Sequence, residues 1–382
     1  MARKLSSRAV LAVALIGLFG FVPELSIGQD NKPPEDPPSP LGGEHNSRDP
    51  RKCKKCSPAL SKALSFLSSK GSSAGFAQGY MLGWLGLVDS ANGTYASKCL
   101  SQAGSARAVG FNGNWFTSIP GIFLAGAYYR YGDGRAASGM QSILTDAQKN
   151  QHHTGGWHHN KNFKMQGYSE DLGIVTAMLF GMFMTLKGAG SGLPKDMIDR
   201  CEKNIESIMG STGIGYGTGK GDYDTAGSRG AYAFMGLHFG GQTDHPFYEK
   251  LKSAIARQIK TMDKGHAVGC LHFLSMSIAN YLAGNYDALA TEWIDKLIAK
   301  QGADGSILLG DDGVGGGEEK NIGGKVGSTA VFAIMLLLQK PGAFDPPKKK
   351  EPAAKGKPAG GSPFGKPKEK DDSKVETPGT KK

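Results

Sequence analysis

Four of the chain's nine histidines fall within eight residues, His152, His153, His158 and His159. Imidazoles at this density can exchange protons near neutral pH or share a metal ion, and a solvated loop can also carry them without a task. Tyr168 and Asp171 follow closely and would serve as acid–base partners. Further on, Tyr216, Asp222, Asp224 and Arg229 share one segment, and His266 stands just ahead of an apolar run. Arg229 wants a carboxylate such as Asp222 or Asp224, in an ion pair that either braces the fold or grips an anion. Asp224 also suits a helix cap. The candidate catalytic residues are therefore His158, Asp171, Asp222, Asp224 and His266, and the candidate ligand contacts are Trp157, His159, Tyr168, Tyr216 and Arg229. A site of His, Tyr, Asp and Arg suits a hydrophilic ligand, a glycan or a peptide, better than a hydrocarbon.

Other motifs are incomplete. Cys53 and Cys56 form one CxxC, which in an exported chain suits a local or a framework disulfide. Ser57 follows where haem attachment needs His, and zinc would want a second ligand pair, whereas Cys99, Cys201 and Cys270 are scattered singly. An odd number leaves at least one thiol free and buried. Residues 215–221 lack the first Gly and the Ser or Thr of a phosphate loop. Asp311, Asp312, Glu318 and Glu319 surround a Gly run that breaks the oxygen spacing of a calcium loop. No metal and no cofactor is assigned.

The elements that must position these residues alternate in kind. One kind is amphipathic, with stripes such as Met140, Ile143, Leu144 and Ala147, or Ile198, Cys201, Ile205 and Ile208, or Leu251, Ile255, Ile259 and Met262, or Leu289, Trp293 and Leu297. The other kind, at 119–129, 172–186, 230–239, 267–282 and 328–338, is apolar nearly all round and must be covered on every side. With early helices near 57–68, 79–88 and 95–108, about twelve helices are expected, paired into six hairpins, with almost no strand. The alternation predicts an all-α fold, an α/α toroid of two concentric rings, because no polar capping unit ends the series as in open repeats.

The loops feeding the apolar helices repeat as well. Gln151, Gly155 and Trp157 have the same internal spacing as Gln301, Gly305 and Ile307, and residues 209–215 look like a degraded copy. Here the chain resembles the terpenoid cyclase and protein prenyltransferase superfamily, whose toroids carry a QxxxGxW repeat that braces helix ends. The order of blocks from Asn114-Trp115-Phe116 to Lys264-Gly265-His266 resembles more closely an uncharacterised family of bacterial toroid proteins. The resemblance implies fold rather than chemistry. The acid motif DxDDTA of the cyclases has its nearest counterpart in residues 222–226, where either the third acid is Thr225 or the central one is Tyr223. The prenyltransferase zinc set has a counterpart only in Cys270, with Val268 in the place of Asp; a buried helix thiol is the expectation there.

The ends differ from the middle. Arg3, Lys4 and Arg8 precede an apolar run over 9–22 and small residues up to Gly28, which predicts a cleaved secretory signal over 1–28 and a secreted, periplasmic or envelope location. Residues 29–52 are Pro-rich and polar, a linker by composition; 53–342 form the helical domain; 343–382 mix Lys, Pro and Gly and are expected to be disordered. The formal charge is +11. The first 28 residues carry three bases and one acid and residues 346–382 eleven lysines and five acids, so only about +3 belongs to the remainder. That excludes a broadly basic nucleic-acid surface. No segment after signal cleavage has the roughly 20 apolar residues of a membrane span. Two functions from different classes fit: a ligand-binding or catalytic ring mouth, or a non-catalytic envelope module whose tail adheres to polymer. A divergent cyclase-like enzyme is a third reading. Substrate, catalysis and oligomeric state have no signature.

Overall fold

The computed structural model describes residues 39–108, 112–160, 171–217, 227–263, 269–309 and 323–346. Within them the chain is all-α, with twelve α-helices and one antiparallel pair of two-residue strands, β1 (Met209–Gly210) and β2 (Gly213–Ile214). The helices are α1 (Cys56–Lys70), α2 (Phe76–Val88), α3 (Gly93–Ala103), α4 (Trp115–Tyr131), α5 (Gly134–Asn150) and α6 (Gly173–Gly188), then α7 (Lys195–Ile208), α8 (Gly227–Phe239), α9 (Tyr248–Arg257), α10 (Gly269–Ala283), α11 (Tyr286–Lys300) and α12 (Gly324–Leu337).

The two kinds of helix separate as their sequences require. In α6 every residue from Gly173 to Leu186 is buried, in α8 all but His238, and in α12 all from Gly327 to Leu337. Because these faces are apolar all round, they leave water only by packing on one another. The contacts run in a cycle: α2 packs on α4, α4 on α6, α6 on α8, α8 on α10, α10 on α12, and α12 on α2. The amphipathic helices flank them. α3 packs on α2 and α4, α5 on α4 and α6, α7 on α6, α9 on α8 and α10, α11 on α10 and α12, and α1 on α12. Each buries a single stripe, in α7 Met197, Ile198, Cys201, Ile205 and Ile208. In the α6–α8 pair the backbones approach closely, since a Cβ at Gly236 would stand 2.0 Å from Gly181 Cα. Thr185 Oγ1 seals the crossing by donating to Gly181 O at 2.9 Å and Gly236 O at 3.3 Å.

The repeated loops perform one structural task. Gln151 Nε2 donates to Gly155 O (2.8 Å) and to Met197 O of α7 (2.9 Å); Gln301 Nε2 donates to Gly305 O (3.0 Å) and to Ala59 O of α1 (2.9 Å). Trp157 N–H donates to Thr176 Oγ1 and Ile307 N–H to Thr329 Oγ1, both at 3.1 Å. The glycines have φ of +95° and +84°, and a Cβ on them would meet Arg200 O at 2.1 Å and Lys62 O at 2.3 Å. Each loop thus clamps the start of a core helix to the next flanking helix, and the last clamps onto α1. The degraded copy at 209–215 folds instead as the β1–β2 hairpin, yet Ile214 is fully buried as Trp157 is.

The Pro-rich stretch is anchored from Ser39 onward. His45, Ser47 and Pro50 are buried, and Arg48 Nη2 meets Asp287 Oδ2 of α11 at 2.7 Å. Few apolar groups do this; polar anchors to a distant helix do. Among the described residues no helix is long and apolar enough to cross a membrane.

Candidate functional site at the starts of the core helices

The N-terminal ends of the core helices meet in sequence around the cycle. Phe76 of α2 stands edge-on to Phe116 of α4, with ring centroids 4.7 Å apart. Asn114 N–H, at the start of α4, donates to His159 O at 2.9 Å, and Gly173 N–H, at the start of α6, donates to Tyr216 O at 2.7 Å. Ser275 Oγ of α10 donates to Ser228 O of α8 at 2.8 Å. A Cβ at Gly323, before α12, would lie 2.3 Å from Cys270 Sγ of α10, and one at Gly327 would meet Met81 Sδ of α2 at 2.5 Å. Residues far apart in sequence therefore gather at one end of the core helices, the end where the helix dipoles favour anions.

Most sequence-predicted residues gathered there are built into the scaffold. Asp171 is fully buried; its carboxylate accepts from Thr154 Oγ1 and from Asn204 Nδ2, both at 2.7 Å. Trp157 has no accessible surface, and its Nε1 donates to Ala147 O at 2.9 Å, so the ring plugs the core and offers no face to a ligand. His158 is buried and its Nδ1 accepts the His159 N–H at 2.7 Å, while Asn114 Nδ2 donates to His158 O at 2.8 Å. Arg229 is buried beneath Tyr216, 5.4 Å from the ring centroid, and donates to Ile214 O at 3.3 Å. Its expected partners Asp222 and Asp224 lie outside the described residues, as do Tyr168 and His266.

The four clustered histidines form two pairs with different surroundings. His152 and His153 lie near Thr154 and Asp171 with their rings tilted at 51° and centroids 4.1 Å apart, and His152 Nδ1 is 3.2 Å from Thr154 Oγ1. His159 instead belongs with α4: Asn112 Oδ1, an acceptor that only the Nδ1–H tautomer could serve, lies 3.1 Å from His159 Nδ1, and Trp115 Nε1 donates to that same nitrogen at 3.2 Å. Burial lowers the His159 pKa, in keeping with a neutral ring that accepts this bond. Trp115, Phe116, His159 and Tyr216 are each only part-buried, and Phe76 is 40 % exposed. A cavity of about 730 Å³ opens beside Phe76 and Tyr80, between α2 and α3; another of about 500 Å³ lies between the β-hairpin and α9. None of the sequence-predicted site residues lines either. Trp115 and Phe76 were absent from the candidate list, although Asn114-Trp115-Phe116 stands out as an aromatic pair at a helix start.

A second polar group lies elsewhere. His45 Nδ1 is 3.2 Å from Cys56 Sγ and 3.7 Å from Cys53 Sγ, and all three residues are buried. His45 Nε2 and Lys55 Nζ both reach Asp295 Oδ1 of α11, at 2.8 and 2.7 Å. Burial alone would raise the Asp295 carboxyl, but these two hydrogen bonds outweigh it and hold it below the usual carboxylate range. Burial pushes the Cys56 thiol up to about 12. The CxxC was visible in the sequence; its histidine partner was hidden in the Pro-rich stretch. Cys99, Cys201 and Cys270 are buried, as expected of core thiols.

A family model described as a domain of unknown function, DUF6288, matches residues 58–299, well over half of the chain. The chain belongs to the DUF6288 family. The match runs from α1 to α11 and so includes Trp115, His159, Asp171 and Arg229, while His45, Cys53 and Cys56 precede it. A comparison with curated proteins finds no match.

Proposed function

We propose that the DUF6288 chain is an exported α/α toroid, related in architecture to the terpenoid cyclase and prenyltransferase superfamily, that binds a polar extracellular chain, a glycan or a peptide, at the N-terminal ends of its core helices. The observation that carries the reading is the row of part-exposed rings there, Phe76, Trp115, His159 and Tyr216, set beside hydrogen-bonding groups such as Asn112. Rings with one wet face stack on sugars or peptide planes while polar neighbours fix orientation. The closed order of core-helix contacts and the convergence of helix starts support a mouth at this end. The buried carboxylate Asp171 acts as a brace in this reading, and His159 and Trp115 do the recognition.

Trp115 makes the test convenient, because the other three tryptophans, Trp84, Trp157 and Trp293, are buried. Titration with neutral and acidic oligosaccharides and with short peptides is expected to change Trp115 emission saturably for one class. Trp115→Phe removes the signal, and His159→Ala weakens affinity about tenfold, or about 1.4 kcal/mol. Unchanged emission with every class would overturn the reading.

A further inference from the structure

The geometry points to a zinc site formed by His45 Nδ1, Cys53 Sγ and Cys56 Sγ, which fastens the segment ahead of α1 to the start of that helix. The three ligand atoms lie within 4.8 Å of one another. A tetrahedral zinc with S at about 2.3 Å and N at about 2.0 Å holds its ligand atoms roughly 3.5–3.8 Å apart. The two His45-to-sulfur distances, 3.2 and 3.7 Å, lie close to that separation before any ion draws the set together.

The surroundings match what a zinc-bound histidine needs. Nδ1 faces both sulfurs, and Nε2 faces the Asp295 carboxylate, which fixes the ring and its tautomer. Lys55 Nζ, 2.7 Å from the same Asp295 oxygen, holds that carboxylate in place. The Cys56 N–H points at Cys53 Sγ at 3.1 Å, and Gln339 Nε2 lies 3.5 Å from Cys56 Sγ, so each sulfur has a donor suited to a thiolate. Two thiolates and a neutral imidazole around Zn²⁺ sum to no net charge, which is the arrangement a fully buried polar cluster can tolerate. Zinc is favoured over harder cations because sulfur dominates the set. A Cys53–Cys56 disulfide is the rival, and it gives no reason for an imidazole nitrogen aimed at both sulfurs.

The groups that hydrogen-bond the ligands come from distant elements. Cys56 opens α1 and Cys53 precedes it by three residues, while Asp295 lies on α11 and Gln339 follows α12. Binding releases two thiol protons, and the site contributes directly to holding the N-terminal segment in place.

The test uses the full chain, purified reduced in buffer with zinc and then desalted. Elemental analysis is expected to give one zinc per chain. Cobalt in its place should show a sulfur-to-metal charge-transfer band. Cys53→Ser and Cys56→Ser each abolish stoichiometric metal, while Cys99→Ser does not. Should the cysteine variants fail to fold, Asp295→Asn decides, since Asp295 is more than half exposed and outside the ligand set. It should weaken zinc binding about 10- to 100-fold with the helical signal intact. Absence of metal from the reduced, folded chain, zinc retained in Cys56→Ser, or unchanged affinity in Asp295→Asn would each overturn the assignment, as would a chain two hydrogens lighter with a Cys53–Cys56 bond and no affinity for zinc after reduction.

Discussion

Asp171 shows how much a single side chain's meaning depends on its neighbours. As a residue type beside four histidines it reads as an acid or base; enclosed, with Thr154 and Asn204 on its carboxylate, it is a brace between the loop ahead of α6 and helix α7. Asp171→Ala takes the acceptor from buried Asn204 and part-buried Thr154, so we expect a loss of about 1–3 kcal/mol in denaturant unfolding. His159 and His238 give a pH prediction. Burial lowers both folded-state pKa values, so the unfolded chain takes up protons first as pH falls. The stability that depends on them is full above about pH 6.5 and is lost as pH drops through the lowered folded values. Melting temperature should fall between pH 7.5 and 5, and the double change His159→Asn with His238→Asn should flatten that slope. The chemical types at this site were legible in the sequence. Which of them touch water was not, because burial depends on partners such as Asn204, 33 residues from Asp171.

At the scale of elements, loop repeats and helix kinds were both visible in advance. The Gln and Gly spacing of 151–157 and 301–307 marked two equivalent clamps, and the structure gives them the same hydrogen bonds. Their glycines combine a left-handed φ with a carbonyl in the space of a Cβ. Gly155→Ala and Gly305→Ala should each cost about 2–4 kcal/mol, measured by urea unfolding. Gly236→Ala fails for a different reason. Its φ is ordinary, but the new methyl meets the α6 backbone at Gly181, which cannot rotate away, and α6 and α8 must part. A surface control such as Gly192→Ala, where a Cβ meets open space, should be close to neutral. The third loop escaped a full match because a hairpin replaces the clamp, with only the buried Ile214 and the Tyr216 carbonyl doing equivalent work.

At the scale of the molecule, the last clamp and α12 both return to the first described helices, through Gln301 to Ala59 and through contacts of α12 with α1 and α2. A cycle has no free end, so its helices should lose their packing together. Truncation before Gln301 removes the cover of α1, α2 and α10 at once. We expect the shortened chain to bind a dye for exposed apolar surface and to lose near-ultraviolet circular dichroism while keeping helical signal. In the intact chain, unfolding followed by Trp115-insensitive absorbance and by circular dichroism should coincide in one transition.

By itself the sequence determined the helix count, the two kinds of helix, and the equivalence of the clamps, since each is written within seven residues or in a local spacing. Only the tertiary structure decided which polar groups are exposed at the helix starts, and that His45 meets Cys53 and Cys56 while Cys56 meets Gln339, 283 residues away. Periodicity records whether a side chain must leave water. It does not record which distant side chain receives it.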